Sequence, residues 1–224
     1  MNIDLKKVQK ASHLLIVTDS RGFFNASAIY TYILTLHKKV SLQISGSLPK
    51  KYSFAPWFEK VRPLSISNAE YTIEIGNNTQ ALYDFFVKNE IKINQKMATS
   101  LYAGMVEEFQ AFRSLKCNGI VFATVCKLIE LKAEHKKCTR YLLYKQPLSF
   151  VRLKSLLLST LILKEEATVA ELFLSDKKLK ESGATLDDAY AVMDEALTVV
   201  HVQEVRLIKS DENNKILKII KEMF

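Results

Sequence analysis

The order of apolar and polar positions divides this chain into a strand-rich opening, a helical middle and a mixed ending. Residues 13–17, HLLIV, are a compact apolar run without alternation, which predicts a strand buried on both faces. A polar turn, DSRGFFN, follows, and then a helical pattern over about residues 26–37 with Asn25 or Ser27 as its cap. Residues 39–44 predict a second strand. Strand, helix and strand in this order make a βαβ unit, and therefore a parallel sheet with helices on its faces. Residues 64–66 and 71–75 offer further strands, and residues 4–10 a short amphipathic lead-in helix.

From Thr79 onward the apolar residues recur at steps of three and four, which predicts helices over 81–87, 95–112, 120–132 and 136–145. Another apolar helix, over 148–163, leads into a second domain. There, strands over 167–174 and 198–207 flank a helix over 186–196 whose first turn holds Asp187 and Asp188, as its dipole favours. The class is α/β: a parallel-sheet domain over 1–145, a helical connector over 146–163 and a smaller α/β domain over 164–224.

Charge and cysteine content narrow the partners. The 224 residues carry 32 Lys and Arg against 24 Asp and Glu, a net +8. That balance favours nucleotides or nucleic acid, although no run of five cations marks a dedicated tail. Cys117, Cys126 and Cys138 lack metal-ligand spacing and read as free thiols in a reducing cytoplasm. No apolar stretch approaches the ~20 residues that span a bilayer, and the opening residues lack the form of a signal peptide, so no membrane association is expected.

The stretch 98–113, ATSLYAGMVEEFQAFR, carries the most specific signal. It resembles the pattern A-T-x-L-Y-x-G-I-x-T-D-T-x-x-F-R of the DHH family phosphoesterases, in the RecJ-related branch of nanoRNases and pAp phosphatases. Thr99, Leu101, Tyr102, Gly104, Phe112 and Arg113 match it. Further blocks are similar in the same order: the opening strand and helix with Ser27, Ala28 and Tyr30, the segment LPKKYSFAPWFEKV, the run NTQALYDFFVKNEIKIN, and AELFLSDKKLKESGATLDD at the opening of a substrate-binding domain. The resemblance implies a two-domain fold and metal-dependent phosphoester hydrolysis, with manganese-type ions as cofactors.

The departures fall on the metal ligands. Where the family has H-x-x-P-D-x-D, this chain has TDSRGFFN, with Asp19 as its only carboxylate and Arg21 as a cation beside it. Glu108 replaces the metal-binding Asp and Glu107 the Thr before it. Glu74 is the nearest acid to the next strand end, the DHH tripeptide has no counterpart, and no glycine-rich substrate loop precedes Phe224, so the second domain reads as truncated. Two-metal hydrolysis needs several anionic ligands converging on cations about 4 Å apart. Asp19 and Glu108 are too few, so no metal cofactor is expected.

The remaining candidates divide between surface and site. Glu107 and Glu108 read first as a solvated or Lys-paired helix face, and second as a residual base or single-metal site. The turn Ser20, Arg21 and Gly22 opens a helix and offers phosphate a cation and backbone N–H groups, against the simpler reading of an ordinary βα turn. Residues 127–145 interleave cations with Tyr141 and Tyr144, a pattern of nucleic-acid binding or of a wet helix face. Phe54 and Trp57 read as packing residues. Three functions stand: a non-hydrolytic homologue binding nucleotide, short RNA or a protein; a divergent phosphoesterase cleaving short oligoribonucleotides or pAp; and a structural partner that dimerises through its helical middle.

Overall fold

The computed structural model describes residues 3–221. The chain divides into two compact units, Met1–Lys145 and Gln146–Phe224.

The first unit opens with α1 (Leu5–Lys10), capped by the Asp4 carboxylate, which accepts from the N–H groups of Lys6 and Lys7. Strand β1 (His13–Thr18) follows, then α2 (Phe23–Thr35), β2 (Lys39–Ile44), β3 (Val61–Pro63) and β4 (Tyr71–Ile75). These four strands form a sheet of order β3-β2-β1-β4, parallel throughout. The α/β class with a parallel sheet is therefore the one observed. Chain order reverses at β1: the path steps outward to β2 and β3, then returns to the other side as β4. Such a switch point leaves a crevice at the strand carboxyl ends.

α2 is buried along its length from Phe23 to Ile33, packed on β1 and β2 and against α4 (Gln95–Glu108). It starts a turn earlier than the polar sequence DSRGFFN suggests, because Gly22 caps it. A Cβ on Gly22 would lie 2.3 Å from Thr18 Oγ1 and 2.6 Å from the Ile75 carbonyl oxygen. Asn25 and Ser27 sit inside the helix rather than capping it; Ser27 Oγ donates to the Pro56 carbonyl and meets Ser100 Oγ at 3.0 Å. Trp57 packs on Tyr30 and donates from Nε1 to Thr31 Oγ1.

The helical half adds α3 (Thr79–Lys88), α4, α5 (Gly119–Glu130) and α6 (His135–Thr139), the last running into a π-helical turn at Arg140–Tyr144. Two further expected boundaries move in this unit. The strand over 64–66 is β3, three residues earlier, where Val61 pairs with Leu42; Leu64 and Ile66 are exposed. The helix over 95–112 ends at Glu108, because Gln110, Ala111 and Phe112 turn left-handed, with Phe112 packed on Tyr102 and Phe122.

In the second unit α7 (Leu148–Leu158) is shorter than the expected 148–163, and residues 162–164 form a strand instead. Its Leu153 and Leu157 lie in this unit's own core. The sheet runs β5-β6-β7-β8, with β5 (Ile162–Lys164), β6 (Val169–Leu174), β7 (Glu204–Lys209) and β8 (Lys215–Lys221). Only β6 and β7 are parallel, joined through α8 (Asp176–Ser182) and α9 (Leu186–Ala196). Thr185 and Asp188 close a capping box on α9. The strand expected over 198–207 begins at Glu204, and residues 198–201 form a turn.

Gly22→Ala is expected to lower the stability of the first unit by about 1–3 kcal/mol, since the Ile75 carbonyl is backbone of β4 and moving Thr18 Oγ1 breaks its hydrogen bond to that carbonyl. Gly76→Ala, whose Cβ meets nothing within 4 Å, is expected to be neutral. Thermal or denaturant unfolding of both variants checks the contrast.

Candidate functional site

A cleft of about 330 Å³ opens at the carboxyl ends of β1 and β4, where the strand order reverses. It is lined by Thr18, Asp19, Arg21, Ser45, Glu74 and the turn residues Gly76 and Asn77, among others. Thr18 ties its floor together by donating from Oγ1 to the Ile75 carbonyl at 2.7 Å. Asn25 does the same from α2, donating Nδ2 to the Gly76 carbonyl at 2.9 Å. Its Oδ1, also buried, has no hydrogen-bond partner and lies 3.1 Å from where a Gly104 Cβ would stand. Gly104 thus lets α4 approach α2 and α3 closely.

The candidate residues of the first turn are spread over two roles. Asp19 and Arg21 line the cleft; Ser20 and Gly22 do not. Arg21 donates from Nε and from one Nη to Asp19 Oδ2, each at 3.0 Å, while Asp19 Oδ1 accepts from the Gly22 N–H at 2.9 Å. Burial alone would raise the Asp19 carboxyl, but the Gly22 N–H and the Arg21 guanidinium outweigh it and hold it below the usual range. The Arg21 side chain is 78% exposed.

Glu107 and Glu108, adjacent in sequence, go to different elements. Glu108 Oε2 accepts from the backbone N–H of Thr79, the first residue of α3, at 2.7 Å. Glu107 accepts from Lys51 Nζ at 2.9 Å and from the Tyr52 hydroxyl at 2.7 Å. Burial, and then the Glu107 charge, push the Tyr52 phenol far upward. Lys51 and Tyr52 belong to LPKKYSF, and sequence reasoning did not pair them with Glu107. The signal available was a half-buried carboxylate on an apolar helix, which requires partners.

These residues do not fit a two-metal centre. Among the described residues no three His, Cys, Asp or Glu side chains gather. Asp19 and Glu108, the two candidates, are each spent on the N-terminus of a different helix. Glu74, at the end of β4, is exposed. The basic stretch 127–145 is partly consumed as well. Lys127 pairs with Glu130 and Lys137 with Glu134, Tyr141 stacks on Phe54 at 5.1 Å, and Lys145 covers the Tyr141 ring. Tyr144 remains 77% exposed.

A solved structure shares this architecture. The crystal structure of an exopolyphosphatase-related protein from Bacteroides fragilis matches with a TM-score of 0.80 over 95% of this chain and 79% of that chain. Identity is 12%. The likeness is one of fold. A crystal structure of a Methanococcus jannaschii protein described as a family II inorganic pyrophosphatase aligns over 88% of this chain and 83% of that one, at 10% identity and a TM-score of 0.35. No protein-family model matches the chain, and no curated protein matches it by sequence. No helix among the described residues is long and apolar enough to cross a membrane.

Two measurements test these assignments. The Asp19 carboxyl is depressed in the folded state, so it contributes stability above the ordinary carboxyl range and loses it as pH falls through the folded value. Asp19→Asn should therefore flatten the acid limb of the thermal midpoint between about pH 5 and pH 2, with little change in slope above it. Glu108→Ala, which strips the Thr79 N–H of its acceptor, should cost about 1 kcal/mol at neutral pH, as removal of a helix cap does.

Proposed function

We propose that this chain is a non-hydrolytic homologue of the DHH phosphoesterases that binds a phosphorylated nucleotide, such as pAp, or the phosphorylated end of a short RNA. The observation that carries this reading is the Arg21–Asp19–Gly22 turn at the β1–β4 switch point. A guanidinium and a helix N-terminus already hold an anionic oxygen pair there, supplied by the chain itself. A phosphate presents the same oxygen geometry and greater charge, so it competes with Asp19 for Arg21 and the Gly22 N–H, with Ser20 in the same turn. The ordered resemblance of the sequence blocks and the fold shared with an exopolyphosphatase-related protein support the family reading. That no metal-holding cluster of carboxylates gathers among the described residues supports binding without hydrolysis. Three free cysteines suit a reducing compartment such as the cytoplasm.

Calorimetry with pAp and a short 5′-phosphorylated RNA, at low and moderate salt, tests the proposal. Arg21→Ala should weaken binding about tenfold or more, the loss of one charge-assisted contact. Asp19→Ala should strengthen it, because the competing carboxylate is gone. Binding that Arg21→Ala leaves unchanged, or none at low salt, overturns the site. Manganese-dependent turnover of either ligand, abolished by Glu108→Ala, overturns the non-hydrolytic reading.

A further inference from the structure

The net charge of +8 is not shared between the two units. The first carries 21 Lys and Arg against 11 Asp and Glu, the second 11 against 13. Part of that excess is set in a row. Lys136 precedes Arg140 by one α-helical turn, about 5.4 Å along the axis of α6. Tyr144 follows Arg140 by about one turn of the wider π winding, in which the Lys145 N–H donates to the Arg140 carbonyl at 3.0 Å. All three are exposed, Tyr144 by 77%, while Cys138 and Leu142 between them turn inward and are buried. The 3₁₀ turn at Lys50–Tyr52 packs beside this stretch and adds an exposed Lys50.

Like charges one turn apart on a helix repel. No acid relieves them here. Glu134 is taken by Lys137 and Glu107 by Lys51, and among the described residues neither Lys136 nor Arg140 has a hydrogen bond or ion pair. The row is left for a polyanion from outside, and the exposed ring decides which kind. A tyrosine at the end of a cationic row gives an unpaired base a face to stack on while the cations follow the backbone. A duplex keeps its bases stacked on one another and offers none. A membrane would need an apolar helix face to bury; Cys138 and Leu142 are in the core, and Leu143 stands alone outside. π-helical turns are rare and gather at functional sites. This one keeps Tyr144 in line with the cations, where α-helical winding would carry it further round.

We propose that this face of the first unit binds single-stranded nucleic acid, with successive phosphates on Lys136 and Arg140 and a base stacked on Tyr144. The contact needs no terminal phosphate, so it stands apart from the Arg21 turn and does not depend on it. Two phosphate contacts and one stacked base make it weak and sensitive to salt.

Fluorescence anisotropy of a labelled 5′-hydroxyl oligoribonucleotide of about ten nucleotides, titrated with the full chain between about 50 and 200 mM salt, tests this. Expected is binding at low salt that the double variant Lys136→Ala, Arg140→Ala weakens about tenfold or more. The same variant should reduce the steepness of log K against log salt by about 1.4, or about 0.7 for each lost phosphate contact. Tyr144→Ala should weaken binding about fivefold or more with the slope unchanged, and Tyr144→Phe should restore it. Arg21→Ala should leave this binding unaltered, which separates the surface from the nucleotide site. All three side chains are exposed and the double variant relieves a repulsion, so thermal melting should not fall. No binding at about 50 mM salt overturns the proposal, as does a salt slope that the double variant leaves unchanged. So does an affinity that Tyr144→Ala leaves unchanged. Equal affinity for a duplex of the same sequence, for polyglutamate or for anionic vesicles overturns it as well.

Discussion

The first turn of α2 lies so close to the end of β4 that residue 22 has no room for a side chain: its Cβ would stand 2.6 Å from the Ile75 carbonyl oxygen and 2.3 Å from Thr18 Oγ1. That approach fixes where α2 enters the structure. α2 is the buried centre of the first unit, enclosed between the sheet and α4, so its entry point sets the depth of everything packed on it. Gly104 repeats the device one layer out, where a Cβ would meet Thr79 Oγ1 at 2.8 Å and Asn25 Oδ1 at 3.1 Å. Two missing side chains thus bring α2, α3 and α4 together at one end of the sheet. The cleft at the β1–β4 switch point is lined by the strand ends and the turns that lead into α2 and α3.

Within that frame, two adjacent glutamates illustrate how a half-buried charge selects its surroundings. Glu107 and Glu108 project about 100° apart on the last turn of α4. Glu107 meets Lys51 and Tyr52 beside an aromatic group in which Tyr52 contacts Phe23 and Phe24. A carboxylate against such rings would be costly without donors, and the ammonium and phenol supply them. Glu108 turns instead to an unpaired backbone N–H at the start of α3. Neither residue is solvated in the manner of an ordinary polar helix face.

Strand β1 was legible from its apolar run because both its faces are covered, whereas β4, at the sheet edge, was legible from the alternation of YTIEI, whose Thr72 and Glu74 are exposed. α9 was legible from its acidic first turn. What misled was local chemistry overruled by packing. Asn25 and Ser27 have the composition of caps, yet Gly22 starts the helix because only glycine fits against Ile75. The helix expected to reach residue 112 stops at Glu108, since Phe112 gains contact with Tyr102 and Phe122 through three left-handed residues that no propensity favours. β8 went unread because KILKIIK places Lys at every third position, a helical spacing, on an edge strand that lysines also protect. At the site, the nearness of Arg21 to Asp19 could be read from the sequence. The engagement of Glu108 with Thr79 could not, since it joins positions 29 apart.

Those two engagements share one physical logic. Helix N-termini carry partial positive charge and unpaired N–H groups, and α2 and α3 both begin at the carboxyl ends of the strands lining the cleft. Such termini hold anions. Here the chain supplies the anions itself: Asp19 accepts at Gly22, and Glu108 accepts at Thr79. Carboxylates too few to bind two metals are thereby sufficient to satisfy two helices. The arrangement is not symmetric, however. Glu108 has only a backbone donor, while Asp19 shares its charge with a guanidinium that is largely in solvent. An exposed ion pair of this kind is worth little and can be exchanged at small cost. The α3 terminus is therefore closed by its own glutamate, and the α2 terminus is the one to which the proposed function assigns an incoming anion in place of the chain's own.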